Sequence, residues 1–190
     1  FYTETDVARP VNAYGSSKLA GELAVLEEDS NALVIRTSGV FGPELQGKNF
    51  VYQLCRTLLQ GQKMQCATDA YGCPTYSRDL AALTIGLLGT GVSGTFHCVG
   101  NLCLSRYEFA TRIATCWGLD TSCLEGKESR EIYLESMQKL GFAATRGKYF
   151  GLSISKLQGV LPGFRLRGIE EALLDWKTNP MRAEYMFSPR

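Results

Sequence analysis

Asn12-Ala-Tyr14-Gly-Ser-Ser-Lys18-Leu-Ala-Gly-Glu22 is the stretch whose reading decides the fold. Pro10-Val-Asn12 begins a helix with Asn12 as its N-cap, and the pattern predicts that the helix runs to about Glu28. On that helix Tyr14 and Lys18 stand at i and i+4 and share one face. A phenol, with an ordinary pKa of about 10, exchanges protons poorly at neutral pH unless a cation stabilises its anion. Lys18 is placed to be that cation. A purely structural arrangement uses the same residues, with Tyr14 as a half-buried helix aromatic and Lys18 paired with Glu22 one turn on. Leu19, Leu23 and Leu26 are expected to form the apolar stripe behind this face.

Ala32-Leu-Val-Ile35 follows as a short unbroken apolar run, which suits a strand buried on both faces of a parallel sheet. In open α/β sheets ligands are met outside the carboxyl ends of the strands, so Arg36-Thr37-Ser38-Gly39 falls where a ligand would lie. Turn chemistry alone is the other account of Thr37 and Ser38. A helix is predicted from about Asn49 to Gln60, closed by Gly61, and a strand from Met64 to Thr68. In the loop Asp69-Ala-Tyr71-Gly-Cys-Pro-Thr75, Gly72 and Pro74 restrict the backbone while Asp69, Tyr71 and Thr75 offer polar groups. That combination shapes either a pocket or a well-made turn. Ser77 is expected to cap a helix over 78–88 with Leu80, Leu83, Leu87 and Leu88 in the core, and Gly94 to Val99 reads as a strand. Ser105-Arg-Tyr-Glu108 is a capping box opening a helix that ends at Trp117-Gly118, with Phe109, Ile113 and Trp117 on one stripe. Helices over 130–140, within 152–157 and over 168–176 complete the pattern, with a weakly structured tail after Pro180.

The composition, 45% apolar and 21% charged over 190 residues, is that of an ordinary soluble globular protein with room for a sizeable core. Twenty basic against nineteen acidic side chains leave a net charge of +1, without the electrostatic footprint of a nucleic-acid binder. No apolar run reaches the ~18 residues of a membrane-spanning helix. The seven cysteines are odd in number, contain no Cys-x-x-Cys, and fall mostly in apolar segments, which points to reduced thiols and a cytoplasmic location. His97, the only histidine, sits mid-strand in Thr95-Phe-His-Cys-Val99 and is expected to be packed or hydrogen-bonded, without partners at metal or triad spacing.

Tyr2-Thr-Glu-Thr-Asp6, the motif from Pro10 to Glu22, Arg36-Thr-Ser38 and Asp69-Ala-Tyr-Gly-Cys-Pro-Thr75 together resemble the extended short-chain dehydrogenase/reductase superfamily. The likeness is strongest to the dTDP-4-dehydrorhamnose reductase family, from Phe1 to about Trp176. The resemblance implies the C-terminal part of a Rossmann-like doubly wound parallel sheet over residues 1–61, and a small α/β substrate-binding lobe making up most of 62–190. It also implies that the chain enters the family pattern past its start, with a cofactor-binding half of the order of 100 residues preceding it. No G-x-G-x-x-G is therefore expected anywhere in this chain, and the Ser or Thr that the superfamily places ahead of its tyrosine is expected upstream as well.

By the same resemblance Tyr14 and Lys18 are the catalytic pair, and with Thr37 and Ser38 they contact NADPH (or NADH). Gly39, Asp69, Tyr71 and Thr75 meet a nucleotide-sugar, whose 4-keto group is reduced, in a protein that could form a homodimer. Two departures lie on the substrate side. Gly39 stands where the dTDP-rhamnose branch usually has a tryptophan that packs on the sugar, and Arg146-Gly147 where it usually reads Arg-Pro. Gly94-Thr-Phe-His-Cys-Val-Gly-Asn101 and Tyr107-Glu-Phe109 are also similar to the beta subunit of methionine adenosyltransferase, which implies the alternative of a nicotinamide-binding regulator of that enzyme. A nucleotide-sugar epimerase of the superfamily is a further alternative.

Overall fold

The computed structural model describes residues 1–178; the tail expected after Pro180 lies outside the described residues. Helix α1 (Ala13–Glu28) begins where the sequence places it, with the Asn12 side chain accepting from the Gly15 N–H. It leads into β1 (Leu33–Arg36) and a two-residue strand β2 (Val40–Phe41). Helix α2 (Phe50–Leu59) is capped by Asn49 and buries Val51, Tyr52, Leu54, Cys55 and Leu58 on one face. Gly61, at φ +65°, takes the left-handed conformation that lets the chain turn away from α2 towards β3 (Met64–Ala67).

The polar loop that follows is more ordered than a turn. It contributes two short strands, β4 (Tyr71–Gly72) and β5 (Thr75–Tyr76), before α3 (Ser77–Thr90) and β6 (Gly94–His97). Strand β7 (Leu104–Ser105) runs into α4 (Arg106–Trp117), whose capping box is complete: Glu108 N–H donates to Ser105 Oγ at 3.1 Å, and Ser105 N–H to Glu108 Oε2 at 2.7 Å. The remaining elements are β8 (Leu124–Lys127), α5 (Ser129–Leu140), β9 (Tyr149–Phe150), α6 (Ser155–Val160) and α7 (Ile169–Thr178).

Pairing is mainly parallel, as an α/β chain with helical crossovers requires. Strand β1 pairs with β6, β2 with β5, β3 with β8 and β4 with β9, all parallel; among the described residues only β4 and β7 are antiparallel. Two cores result. The larger gathers α2, α4 and α7 around Trp176, whose ring lies 5.2 Å from Tyr52 and 5.7 Å from Trp117. The smaller packs Leu83 and Leu87 of α3 and Leu157 of α6 onto Phe96 and Cys98.

Several sequence expectations are corrected. The Leu19/Leu23/Leu26 stripe of α1 is not a core face: α1 has no buried residue, and Leu23 is 57% exposed. Strand β1 is half-buried rather than covered on both faces, because it has one strand neighbour among the described residues. Leu88 is 63% exposed and stands apart from the α3 core residues Leu83 and Leu87. Tyr76, not Ser77, occupies the N-cap of α3, and no side chain caps that helix. The glycine spacing G-x-G-x-x-G does occur, as Gly89-Thr-Gly91-Val-Ser-Gly94, but it runs from a helix into a strand. A pyrophosphate turn needs the reverse order, so that the helix N-terminus faces the anion. Here Gly91, at φ +69°, terminates α3.

His97 is packed as expected. It is 1% exposed, its Nδ1 lies 3.2 Å from the Ser153 carbonyl, and its backbone N–H donates to Glu4 Oε1 at 2.9 Å. Burial holds its pKa below the ordinary histidine value, with Glu4 opposing that shift. All seven cysteines are free thiols; burial pushes Cys55 up to about 12 and Cys66 and Cys98 up to about 11, the behaviour of small hydrophobes.

Candidate functional site

The first turn of α1 is built to present Tyr14 and Lys18. Asn12 Oδ1 accepts from Gly15 N at 2.8 Å, and Ser17 Oγ donates to the Tyr14 carbonyl at 2.8 Å. A Cβ at Gly15 would stand 3.1 Å from Pro10 Cβ, so a glycine lets the chain fold closely over its own cap. The other side of Asn12 reaches far along the chain: Nδ2 donates to the Thr145 carbonyl at 2.8 Å. Tyr14 is 72% exposed, and Lys18 Nζ lies 5.4 Å from the centroid of its ring. The half-buried alternative for Tyr14 is therefore not what forms. Nor does Lys18 pair with Glu22, since Glu22 turns instead to Arg36 at the carboxyl end of β1. That contact is two-pronged, with Arg36 Nε to Oε2 at 2.9 Å and Nη2 to Oε1 at 2.6 Å, and the hydrogen-bonded carboxylate raises the guanidinium pKa.

The residues after β1 are stitched to the 69–75 loop. Ser38 Oγ donates to the Cys73 carbonyl at 3.2 Å, Thr75 Oγ to the Ser38 carbonyl at 2.8 Å, and Thr75 N–H to the Gly39 carbonyl at 3.3 Å. Gly39 adopts φ +55°, which a side chain would strain, and a Cβ there would lie 3.4 Å from Pro74 Cα. Thr37 is exposed beside these contacts. Thr75 is fully buried, with its hydroxyl also accepting from Gly100 N–H at 3.3 Å, so it reaches the site through the backbone it holds.

Asp69 and Tyr71 sit at the other end of the loop. Ser129 N–H donates to Asp69 Oδ1 at 2.7 Å and Ser129 Oγ to Oδ2 at 3.1 Å, while Lys148 Nζ stands 2.6 Å from Oδ2. The Lys148 ammonium and the Ser129 donors hold this carboxyl down at about 2. Asp69 thus supplies the cap that α5 lacks in its own sequence, where Glu128 makes no side-chain cap bond. Tyr71 is partly exposed, its ring 6.5 Å from that of Tyr149.

The sequence-predicted residues therefore form three groups: Tyr14 with Lys18, Ser38 with Gly39 and Thr75, and Asp69 with Tyr71 on β4. Sequence reasoning missed Gly100, Asn12 as a long-range tie, and Glu4. Gly100 carried a signal only in hindsight: a Cβ there would stand 2.0 Å from the Pro74 carbonyl oxygen, which no local pattern announces.

Comparison with known proteins identifies the family. Residues 1–177 match the family described as RmlD substrate binding domain. The dTDP-4-dehydrorhamnose reductase of Burkholderia thailandensis is 38% identical over 125 residues, 61% of this chain and 41% of the relative. The methionine adenosyltransferase 2 subunit beta of Rattus norvegicus is 31% identical over 183 residues, 90% of this chain and 52% of the relative. The chain thus spans about half the length of these curated relatives. Among solved structures, dTDP-4-dehydrorhamnose reductase from Bacillus anthracis in complex with NADP superposes with a TM-score of 0.80 at 30% identity, over 93% of this chain and 58% of that one. With its parallel α/β pairing, its Tyr14/Lys18 helix and this match along nearly its whole length, the chain belongs to the RmlD substrate-binding-domain family.

Proposed function

We propose that the complete protein reduces the 4-keto group of a nucleotide-linked 6-deoxyhexose at the expense of NADPH, with Tyr14 as proton donor. The observation that carries this reading is the pairing of Glu22 with Arg36, which leaves Lys18 beside Tyr14 with no ion pair of its own among the described residues. A lysine held next to a phenol and spared its nearest carboxylate is placed to stabilise the phenolate left when Tyr14 gives up its proton.

The donor set would suit a nicotinamide cofactor, since an ammonium with no ion pair among the described residues and an exposed threonine, Thr37, offer the kind of donors that ribose hydroxyls and a carboxamide accept. The bound nicotinamide would supply the hydride. Tyr14 delivers its phenolic proton to the oxygen that becomes the alcohol. Lys18 holds the resulting charge and orients ribose hydroxyls. Ser38, fixed to the 69–75 loop, keeps the strand end in register with Tyr71 and Gly39 on the sugar side. Residues 1–61 then contribute to the cofactor side and 62–190 mainly to the substrate lobe. The reductase names of the relatives, and the NADP held by the Bacillus anthracis protein, support this reading.

A second reading rests on the Rattus norvegicus beta subunit, whose match covers more of the chain than that of the Burkholderia reductase. In it, Tyr14 and Lys18 serve only as a cofactor contact and the protein modulates a methionine adenosyltransferase. The test is NADPH oxidation by the complete protein supplied with dTDP-4-keto-6-deoxy-L-mannose. Stimulated oxidation is expected. No stimulation, together with co-purification with methionine adenosyltransferase and altered kinetics of that enzyme, would favour the regulator.

A further inference from the structure

Cys73 follows β4 and Cys103 precedes β7, two neighbouring strands of the three-stranded sheet. Strands β4 and β7 are antiparallel, with Tyr71 opposite Ser105 and Gly72 opposite Leu104, and one further step in that register would set Cys73 opposite Cys103. Arg106 N–H donates to the Ala70 carbonyl at 3.1 Å, which marks 70/106 as a hydrogen-bonded position. Such positions alternate with close, non-hydrogen-bonded ones, so 72/104 is of the first kind and 73/103 of the second. Opposed Cα atoms at a close position are about 4.5 Å apart, inside the ~4.4–6.8 Å span of natural disulfides.

The side chains agree with the ladder. The Cys73 thiol and the Tyr149 hydroxyl of β9 are near enough to the Cys103 thiol to act on its protonation. A Cβ at Gly151 would stand 3.2 Å from Cys103 Sγ and 3.0 Å from the Tyr149 hydroxyl oxygen, so this glycine leaves room for the cluster. Cys73 is 1% exposed, whereas Cys103 is only partly buried. Neither thiol has a part in the chemistry assigned to Tyr14 and Lys18.

We propose that Cys73 and Cys103 form a reversible cross-strand disulfide, a thiol-modification site that locks the 69–75 loop to the start of α4. The oxidant is a low-molecular-weight disulfide. The partly exposed Cys103, as its thiolate, attacks one sulfur of that disulfide and expels one small thiol, leaving a mixed disulfide. Cys73 then attacks the Cys103 sulfur and expels the second small thiol. In sum the two protein thiols lose two electrons and two protons, and the small disulfide gains both as two thiols. Because the Cys73 carbonyl holds Ser38 and Ser105, the last residue of β7, forms the capping box of α4 with Glu108, the bond would tie the end of β1 to a core helix. Burial, and after it the neighbouring Cys73, raise the Cys103 pKa, so the reaction should be slow at neutral pH and accelerate as pH rises towards that value.

The test incubates the full chain with oxidised glutathione, quenches in acid, alkylates in denaturant and maps the peptides. The expected result is one peptide pair joining Cys73 to Cys103, reversed by dithiothreitol, together with a higher melting temperature of the oxidised form. Cys73→Ser should keep glutathione on Cys103 and lose the melting-temperature rise; Cys103→Ser should lose both. A Cys73–Cys103 link that is absent while other thiols are glutathionylated overturns the proposal. So does a link from Cys103 to a different cysteine, or a melting-temperature rise that persists in Cys73→Ser.

Discussion

Glu22 grips Arg36 with both carboxylate oxygens, at 2.9 and 2.6 Å, although Lys18 lies only one turn away on the same helix. Two physical effects favour this choice. A lysine four residues ahead of a glutamate is the weaker orientation of a helical pair, and the guanidinium fork matches a carboxylate at two points where an ammonium matches at one. The pair also sits in partial shelter, with the two side chains 25% and 14% exposed. One contact thereby ties α1 to the end of β1 and leaves the Lys18 ammonium without an ion pair among the described residues.

The coupling between these two residues should exceed that of a surface ion pair. In a double-mutant cycle of Glu22→Gln and Arg36→Gln, an interaction of about 1–3 kcal/mol is expected, where exposed pairs give about 0.2–1 kcal/mol. Urea unfolding of the four proteins measures it. A coupling within a few tenths of zero would mean that solvent screens the pair and that it does not position α1.

Acid should release the Asp69 latch. The carboxyl is held down at about 2 in the folded chain, against about 3.9 for an unfolded aspartate, so the stability it contributes is complete above about pH 4 and disappears as pH falls towards about 2. Thermal melts of the wild type and Asp69→Asn across that window should converge as the solution is acidified. A constant gap between the two curves would show that Asp69 does not titrate with the fold. Because Asp69 caps α5 through Ser129, the first amides to lose hydrogen-exchange protection in the variant should be those of the first turn of α5.

Local pattern made much of this molecule legible. Asn12, the Ser105/Glu108 box and the glycines ending α2, α4 and α5 all act within a few residues of themselves, and each element they bound is where the spacing predicts. The family motifs placed Tyr14 and Lys18 on one helical face for the same reason. What stayed hidden depends on contacts between distant segments. Asp69 reads as a pocket carboxylate but caps a helix sixty residues on, and Thr75 reads as a ligand contact but is buried among Ser38, Cys73 and Gly100. The leucines of α1 and the strand β1 have the composition of core elements, yet composition does not state which neighbours arrive to cover them.

Close approach, not backbone dihedral, should make Gly100 the more sensitive of two glycines in this region. Gly39→Ala forces an alanine into φ +55°, at a cost of about 1–2 kcal/mol. Gly100→Ala sets a methyl group 2.0 Å from the Pro74 carbonyl oxygen, a backbone atom that cannot rotate aside, and also disturbs the Gly100–Thr75 hydrogen bond. Overpacking of this kind costs about 1–3 kcal/mol before the lost hydrogen bond is added. Chemical denaturation should therefore rank Gly100→Ala below Gly39→Ala, and the reverse order would show that the 73–75 backbone yields easily.

The roles proposed for Tyr14 and Lys18 make separable demands on the complete protein. Tyr14→Phe removes a transferable proton and one hydroxyl from a side chain that is 72% exposed and contributes little to packing, so folding and NADPH affinity should persist. Its turnover should fall by about 10²–10⁴-fold, the range of a general acid. Lys18→Met removes the ammonium that stands 5.4 Å from the ring centroid. It should lower turnover and raise the NADPH dissociation constant together, because in the proposed mechanism the same charge serves the phenolate and the ribose. Calorimetric titration with NADPH, alongside steady-state oxidation with the 4-keto sugar nucleotide, separates the two effects. A Tyr14→Phe protein that keeps most of its turnover would remove Tyr14 as proton donor, and a Lys18→Met protein with unchanged cofactor affinity would confine Lys18 to the phenol.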